Sequence, residues 1–305
     1  MMHRMMGVLA AFGYCALAAP AWGQTPKLTI GYVPNAEFVP VFIAQEKGYF
    51  TKAGLDTTLT PIPIPSNVPA ALTSRSIDVG PATAVNLLTT AENGLNLVAV
   101  SGYARNIVGK EPANIVVRSG VPYNSSRDLV GKRIGMAGVF STFDVFFRIW
   151  LRNNNVAFDD VKEIDVNYPT MLNMLDNGLL DAAVVVDPFR TQIVNSGKGF
   201  IAADFIGEIA KDCVGLIWVA NRDWATAHPA ERAGFIAGLR DGIADVLQDR
   251  KGAEAVEAKY LKFSAPITDD FNLSLTPADL QFYQDFMLEL GFIHQKINAS
   301  ELIIR

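Results

Sequence analysis

The residues of this chain that could do chemistry are short polar side chains placed where a predicted strand ends or a predicted helix begins. Four such loops cover residues 35–38, 65–67, 80–84 and 138–142, and a fifth candidate covers residues 187–189. Amides and hydroxyls both donate and accept hydrogen bonds. The first N–H groups of a helix lack intrahelical partners and favour anions. The loops therefore predict a binding site for a small polar solute.

These loops, together with one aromatic residue from elsewhere, supply the candidate ligand contacts. The candidates are Asn35, Phe38, Ser66, Asn67, Pro81, Ala82, Thr83, Tyr103, Phe140, Ser141, Thr142 and Asp187. The aromatic rings offer flat apolar walls. Gly80 and Gly138 allow the backbone to approach a ligand closely. Flat walls next to hydrogen-bonding groups favour an organic ligand over a bare inorganic ion.

The third and fourth loops carry the sharpest expectations. Pro81 is expected to open a helix whose free N–H groups face the cleft. Ser141 and Thr142 are expected to hold the acidic end of the solute with their hydroxyls and the N–H groups of the helix that they open. A capping box between Ser141 and Asp144 is the competing interpretation of the same residues.

The remaining loops have structural alternatives that the sequence leaves open. Asn35 either contacts the ligand or closes the turn after Pro34, and Ser66 either contacts the ligand or caps the following helix. Asp187 would accept from an amine, an amide or a ring N–H of a ligand. Capping the next helix is an equally good role for this carboxylate.

Catalytic and metal-binding signatures are missing from the sequence. His228 and His294 have no ligand partner at metal spacing, and Cys213 fits a small buried apolar residue. No nucleophile elbow, phosphate loop or Cys-x-x-Cys motif is present. We therefore expect no enzyme activity, no metal and no cofactor.

The net charge and the N-terminal segment narrow the possible classes of protein. The chain has 26 Lys and Arg against 31 Asp and Glu, a net charge of −5, which argues against a nucleic-acid-binding face. Residues 1–23 combine a basic start, a short apolar run and a small-x-small site, so we expect a cleaved signal peptide and a periplasmic protein. A buried N-terminal element, or a lipid anchor on Cys15, is the alternative for this segment.

Apolar runs of strand length alternate with helical patterns up to about residue 220, which predicts an α/β fold with mostly parallel sheets. Strands are expected at 27–33, 55–60, 77–80, 95–101, 114–118, 133–136, 162–166, 181–186 and 214–220. Helices are expected at 141–152, 229–249, 251–262 and 277–290.

Several segments in order along the chain resemble one family, the periplasmic solute-binding proteins of nitrate/sulfonate/taurine-type ABC importers. They are IAQEKGYFTKAGLD (43–56), ALTSRSIDVGPAT (71–83), DLVGKRIGM (128–136), FDDVKEIDV (158–166) and NGLLDAAVVVDPF (177–189). As a set the segments are fairly specific for the family and poorly specific for its ligand.

The resemblance implies a two-lobed periplasmic-binding-protein fold of type II with a cleft between the lobes. Lobe one would comprise residues 27–112 plus 219–305, and lobe two residues 113–218. It also implies a monomeric receptor that captures a small organic anion by hinge closure, of the sulfonate, taurine or aromatic carboxylate type. The receptor would deliver this ligand to an ABC permease in the inner membrane. The identity of the ligand stays open.

An enzyme on the same fold is the alternative function. Pyrimidine-precursor synthases and menaquinone-pathway lyases resemble these receptors. The first kind needs a histidine- and cysteine-rich iron site, which this sequence lacks, and the second is cytosolic, whereas this chain carries an export signal. The receptor is therefore the leading hypothesis.

Overall fold

Strands alternate with helices over the first two thirds of the chain, and helices dominate the remainder. The computed structural model describes residues 25–107, 112–139, 141–264, 267 and 270–304. The expected signal peptide at residues 1–23 lies outside the described residues. Within them the predicted α/β architecture is confirmed.

The described strands are β1 (Lys27–Tyr32), β2 (Asp56–Pro61), β3 (Val79–Ala82), β4 (Leu97–Ile107), β5 (Ala113–Arg118), β6 (Arg133–Met136), β7 (Lys162–Asp165), β8 (Ala182–Val186), β9 (Gly199–Ala203), β10 (Asp212–Asn221) and β11 (Asp270–Phe271). They form two sheets. The first has the order β11-β4-β10-β3-β1-β2, and the second has the order β7-β6-β8-β5-β9.

Both sheets are mixed, which corrects the expectation of mostly parallel sheets. Strand β1 pairs in parallel with β2 and β3, and β6 pairs in parallel with β7 and β8. The other pairings are antiparallel, through β10 and β4 in the first sheet and through β5 in the second. Most of the antiparallel pairings involve β5 or β10, the strands with which the chain enters each sheet from the other.

The described helices are α1 (Val39–Glu46), α2 (Tyr49–Lys52), α3 (Val68–Thr73), α4 (Ala84–Glu92), α5 (Thr142–Asn153), α6 (Tyr168–Asp176), α7 (Phe189–Asn195), α8 (Arg222–Ala227), α9 (Pro229–Gln248), α10 (Arg250–Leu261) and α11 (Pro277–Glu289). Short 3-10 turns precede several of them, including Ala36–Phe38 before α1 and Pro65–Asn67 before α3. None of the helices in this described part of the chain is long and apolar enough to cross a membrane.

Helix α5 shows why the apolar spacing predicted a helix. Phe146, Phe147, Trp150 and Leu151 are at most 3% exposed and form the buried stripe expected from their spacing. Phe143 begins the same stripe but is only half-buried, because it lies at the helix end that borders the cleft. The stripe packs α5 into the core, where Phe146 contacts Tyr283 of α11, and the N-terminus of the helix lies at the cleft.

The chain passes between the sheets twice. It leaves the first sheet after Ile107 and enters the second at Ala113, and it returns between Ala203 and Asp212. The return therefore precedes the predicted lobe boundary at residue 218, which lies inside β10. The division into two lobes stays a proposal, and sheet membership favours a second boundary at residues 204–211.

Glycines bring α9 close to α1 and α2. A Cβ on Gly242 would lie 2.2 Å from the Pro40 carbonyl oxygen of α1, and a Cβ on Gly238 would lie 2.4 Å from the Phe50 ring of α2. Such separations leave no room for a methyl group. The C-terminal helices can therefore cover the first sheet only because these positions are glycine.

We expect Gly242→Ala to destabilise the protein by about 1–3 kcal/mol, because the nearest atom is backbone and cannot rotate away. Alanine intrinsically favours a helix over glycine by up to about 1 kcal/mol, so a loss would identify the contact as the cause. Chemical denaturation monitored by circular dichroism measures the change. Gly234→Ala is the graded control, since its Cβ would lie 3.0 Å from its nearest atom, and a larger loss there would contradict this account.

Candidate functional site

A cleft opens between the two sheets, where loops from both meet. It encloses about 420 Å³, including its open mouth. Its lining on the side of the first sheet comprises Val33, Asn35, Glu37, Phe38, Pro65, Pro81, Ala82, Thr83, Asn86 and Leu216. Its lining on the side of the second sheet comprises Ala137, Ser141, Phe143 and Tyr168.

The loop after β1 is held in place by hydrogen bonds to the side chain and to the backbone of Glu37. The side-chain amide of Asn35 makes two hydrogen bonds. Its Nδ2 donates to Glu37 Oε2 over 2.9 Å, and its Oδ1 accepts from the Glu37 backbone N–H over 3.1 Å. The buried Tyr103 hydroxyl donates to the Glu37 backbone oxygen. Asn35 therefore closes the turn and also lines the cleft, and its contact with a ligand stays a prediction.

Helix α4 begins at the cleft with a capping box. The Thr83 hydroxyl accepts from the Asn86 N–H over 3.1 Å, and Asn86 Oδ1 accepts from the Thr83 N–H over 3.4 Å. Pro81 lies inside β3 and not at the start of the helix, so the prediction that Pro81 opens a helix is wrong. A proline fits there as part of a short strand, and α4 starts three residues later, at Ala84.

Helix α5 presents its N-terminus from the other side of the cleft. The Ser141 hydroxyl caps the helix by accepting from the Asp144 N–H over 3.4 Å. Gly138, with φ of 92°, makes the preceding turn, and its N–H donates to Asp165 Oδ1 over 3.1 Å. Because few residues other than glycine tolerate that φ, the approach of the loop to the cleft depends on Gly138.

Tyr168 opens α6 and completes this side of the cleft. It is 3% exposed, and its ring stacks on Phe189 with centroids 6.0 Å apart. Its hydroxyl makes no hydrogen bond to any described residue, although it lies near the carboxylate of Glu37. Burial raises the pKa of Tyr168 well above its usual value, and the Glu37 charge raises it further. Tyr168 is therefore a neutral hydrogen-bond donor at neutral pH.

The ionisable side chains of the described cleft lining include an acidic residue but no basic one. Glu37 is the only acidic residue among the described residues that line the cleft, and no Lys, Arg or His accompanies it there. The described residues also hold no group of three or more His, Cys, Asp or Glu arranged for a metal ion. Burial raises the pKa of the Cys213 thiol, which keeps it protonated and a poor nucleophile.

A sequence model of one family, the NMT1-like family, matches residues 22–258. The chain belongs to the NMT1-like family. The predicted resemblance to solute-binding proteins is thereby confirmed at the level of the family.

Two curated relatives bear names from different classes. "Bicarbonate transport ATP-binding protein CmpC" of Synechocystis is 27% identical over 240 residues, which cover 71% of this chain and 34% of CmpC. "4-amino-5-hydroxymethyl-2-methylpyrimidine phosphate synthase" of Uromyces fabae is 22% identical over 233 residues, which cover 72% of this chain and 66% of the synthase. The chain thus spans about a third of the length of CmpC and just under two thirds of the synthase.

A solved structure shows the fold of this NMT1-like chain. The periplasmic aliphatic sulphonate-binding protein SsuA from Escherichia coli superposes with a TM-score of 0.72 at 20% identity, over 91% of this chain and 97% of SsuA. The expected periplasmic-binding-protein fold is confirmed by this likeness.

The structure brings half of the predicted ligand residues of this NMT1-like protein together in the cleft. These are Asn35, Phe38, Pro81, Ala82, Thr83 and Ser141. Ser66, Asn67, Tyr103, Thr142 and Asp187 do not line the cleft, and Phe140 lies outside the described residues. No bound ligand tests these assignments, so the role of the lining residues stays a proposal.

Packing accounts for two of the residues that do not line the cleft, Tyr103 and Thr142. Tyr103 is fully buried behind Phe38, with ring centroids 5.7 Å apart. Thr142 is 1% exposed and its hydroxyl faces Tyr283 of α11, because the residue after a cap has turned away from the helix end. Ser66 lies outside the lining, with its hydroxyl 3.5 Å from Asp165 Oδ2. Its neighbour Asn67 does not cap α3 through its side chain.

Asp187 holds the start of α7. Its Oδ1 accepts from the Thr191 N–H over 3.0 Å and from the Thr191 hydroxyl over 2.7 Å, and Arg190 pairs with its other oxygen. Its backbone oxygen accepts from the Ala36 N–H over 3.1 Å, across the cleft. Asp187 thus takes the helix-capping role that the sequence left open, and it links the two sides through its backbone.

Glu37, Asn86, Phe143 and Tyr168 are cleft residues that the sequence analysis did not propose. Tyr168 carried a usable signal, because it follows Asn167 at the carboxyl end of β7 and opens a helix, like the loops that were chosen. Glu37 carried none, since an acidic residue in a short turn is most often exposed.

A charged cluster lies behind the N-terminus of α5. Arg148 donates to Asp144 over 2.5 Å and to Glu163 Oε2 over 3.1 Å. Glu163 Oε1 is buried without a hydrogen bond to a described residue. Burial and, next, the Asp144 charge raise the pKa of Glu163 to about 7, although Arg148 opposes the shift.

The Glu163 shift predicts that stability falls as pH rises. Between about pH 4.5 and 7 the folded protein keeps a proton on Glu163 that the unfolded chain has released, so this contribution is full below pH 4.5 and lost through pH 7. Glu163→Gln should therefore show a smaller fall in melting temperature between pH 5 and 8 than the wild type. Glu46→Gln is the control, because Lys259 lowers the pKa of Glu46 and moves its contribution to acid pH. Parallel profiles for wild type and Glu163→Gln would contradict the assignment.

Proposed function

We propose that this chain is the extracytoplasmic solute-binding receptor of an ABC importer, and that it holds one small organic anion in the cleft. The observation that carries the proposal is the convergence of α4 and α5 on the cleft from opposite sides. Each helix is capped by a hydroxyl residue, Thr83 or Ser141, that also lines the cleft. Such ends carry partial positive charge and suit the oxygens of a carboxylate or sulfonate.

The walls of the cleft support an organic ligand. Phe38, Phe143 and Tyr168 contribute aromatic surface to the lining. A bare inorganic ion would leave most of this surface unused, whereas an organic acid would cover it.

Closure of two lobes around the ligand is part of the proposal. The Ala36–Asp187 hydrogen bond joins the two sides of the cleft, and a Cβ on Gly138 would lie 3.4 Å from the Pro65 side chain opposite. Helix α5 also contacts α11, through the Phe146 and Tyr283 rings and the Arg152–Glu289 ion pair, so an opening motion would have to pivot about these contacts or break them. The lobes would be residues 27–112 plus the C-terminal part and about 113–211.

The cellular setting follows from the same proposal. The receptor would be exported by the leader at residues 1–23, remain in the periplasm as a monomer, and deliver the solute to a permease of the inner membrane. Two named relatives support this setting, since one is a bicarbonate transport protein and the other a periplasmic sulphonate-binding protein.

An enzyme on the same fold is the second candidate, because one relative is named as a pyrimidine phosphate synthase. The described residues offer no metal-binding cluster, and their one cysteine, Cys213, is a buried thiol that does not line the cleft. These observations favour capture of a solute without turnover. Mass spectrometry of an identified ligand after prolonged incubation with the protein distinguishes the two, since a receptor returns the ligand unchanged.

We expect the ligand to make the protein more compact in solution. Small-angle scattering of the mature protein should show a smaller radius of gyration at ligand saturation than without ligand. The same measurement with a non-binding acid of similar charge is the control. An unchanged scattering curve at saturation would contradict closure while leaving binding intact.

Ser141→Ala should weaken binding of the acidic ligand by roughly 5- to 150-fold, because a hydroxyl and the geometry of the helix end are both lost. Loss of the cap should also cost about 1 kcal/mol of stability. Thr142→Val is the matched control, and it should bind nearly as well as the wild type because Thr142 faces Tyr283.

The ligand for this comparison is found first by a thermal-shift screen of small organic acids. A true ligand at ~100 times its dissociation constant adds about 2.7 kcal/mol of stability. Isothermal calorimetry then ranks the variants. A normal affinity in Ser141→Ala with a loss in Thr142→Val would refute the placement of the acid group at Ser141.

A further inference from the structure

Two acidic side chains share one arginine behind the cleft end of α5. Arg148 donates to Asp144 Oδ1 over 2.5 Å and to Glu163 Oε2 over 3.1 Å. The Asp144 side chain is fully buried, and that of Glu163 is 9% exposed. Asp165 follows Glu163 by two residues on β7, so it lies on the same face of the strand and adds a third acid. The Glu163 carboxyl is therefore faced by two acids and one base.

Apolar side chains border the same group. In the second sheet Glu163 lies opposite Ile134 of β6. The Arg148 guanidinium lies over the Phe158 ring, 3.5 Å from its centroid, and over the Phe292 ring, 4.7 Å from its centroid. Glu163 Oε1 is buried without a hydrogen bond to a described residue. A carboxylate in such surroundings is costly to keep charged, so a proton is a favourable partner for this oxygen.

The group is connected to the part of the cleft where the acidic end of the solute is proposed to lie. The Ser141 hydroxyl, which lines the cleft, accepts from the Asp144 N–H over 3.4 Å. Asp165 Oδ1 accepts from the N–H of Gly138, in the turn before α5, over 3.1 Å. With a rise of about 1.5 Å per residue, Asp144 lies within about one turn of the helix start. Charges this close interact strongly when protein and not water lies between them.

The described lining of the cleft contains no Lys, Arg or His that would neutralise an acidic solute. A negative charge at the start of α5 would therefore act on the acids behind it. Burial and, next, the Asp144 charge raise the pKa of Glu163 to about 7, so this carboxyl exchanges its proton near neutral pH. A further negative charge, brought by the solute, would raise that pKa again.

We propose that an acidic solute binds together with a proton, which Glu163 takes up behind α5. This inference rests on the proposed receptor function and adds a dependence on pH to it. Coupling between two binding sites is reciprocal, so a protonated Glu163 favours the solute by as much as the solute favours the proton. The receptor therefore loads more readily in an acidified medium than at alkaline pH.

Isothermal calorimetry measures the proton directly. The probe acids are benzoate, benzenesulfonate and ethanesulfonate, and the one that binds most tightly is titrated into the mature protein. Each titration is made at pH 7 in Bis-Tris and again in Tris, because the ionisation enthalpies of these buffers differ. The two heats should correspond to an uptake of about 0.4 proton per solute, the value for a rise of one unit from a pKa of about 7.

The pH profile of the wild type tests the same point without a variant. Uptake should fall to nearly zero at pH 5.5, where Glu163 is protonated with or without the solute. Affinity should fall by roughly 5-fold between pH 6 and pH 8, as the same one-unit rise requires.

Two variants assign the proton to one carboxyl. Glu163→Gln keeps the size of the side chain but cannot take up a proton in this pH range, so uptake should vanish and the affinity should stay constant between pH 6 and pH 8. Glu46→Gln is the matched control. It removes an acid that Tyr260 holds at the outer end of α1, and the wild-type uptake should remain.

The outcomes separate the inference from the function on which it rests. Binding without proton uptake at pH 7, or uptake as large at pH 5.5 as at pH 7, overturns the inference and leaves the organic-anion receptor standing. Uptake that persists in Glu163→Gln overturns it as well, because the proton then goes to another group. If Glu163→Gln does not fold, the wild-type profile decides. If none of the probe acids binds at millimolar concentration, the organic-anion receptor fails, and the inference fails with it.

Discussion

The cleft depends on the short turn Ala36–Phe38, which is held from three directions. Tyr103 fixes the Glu37 backbone from the core, Phe38 packs between Tyr103 and Trp218, and the Ala36 N–H reaches Asp187 on the opposite side. Core packing therefore determines where the Glu37 carboxylate lies. Because the same turn contacts both sides of the cleft, a movement of one side relative to the other would also move the Glu37 side chain.

Local sequence patterns predicted individual helices and strands well, but they did not predict how distant strands pair. The stripe in α5 and the apolar run of β8 are properties of contiguous residues, so their spacing was sufficient. Strand β9 was missed because Phe200 and Ile201 face solvent and give no buried pattern. The mixed sheets were missed because the direction of β10 is set by its return from the second sheet, which no short window of sequence contains.

The sequence pointed to loops that border the cleft but not always to the side chains within them that reach it. Successive residues of a helix point about 100° apart, so Ser141 lines the cleft while Thr142 packs on Tyr283. A carboxylate was expected in the cleft at Asp187, but the contacts of Asp187 hold the start of α7. Glu37 lies in the cleft lining instead, because the tertiary contacts of Asn35 and Tyr103 bury it, and such contacts leave no signature in sequence spacing.

The distribution of groups across the cleft relates ligand chemistry to closure. A ligand drives closure only through contacts that exist in the closed state and not in the open one. Thr83 at the start of α4 lies on one side of the cleft, whereas Ser141 at the start of α5 lies on the other. A solute held by one helix end alone would gain little when the sides approach. A solute held by both helix ends would need both sides at once, so its binding free energy would favour the closed arrangement.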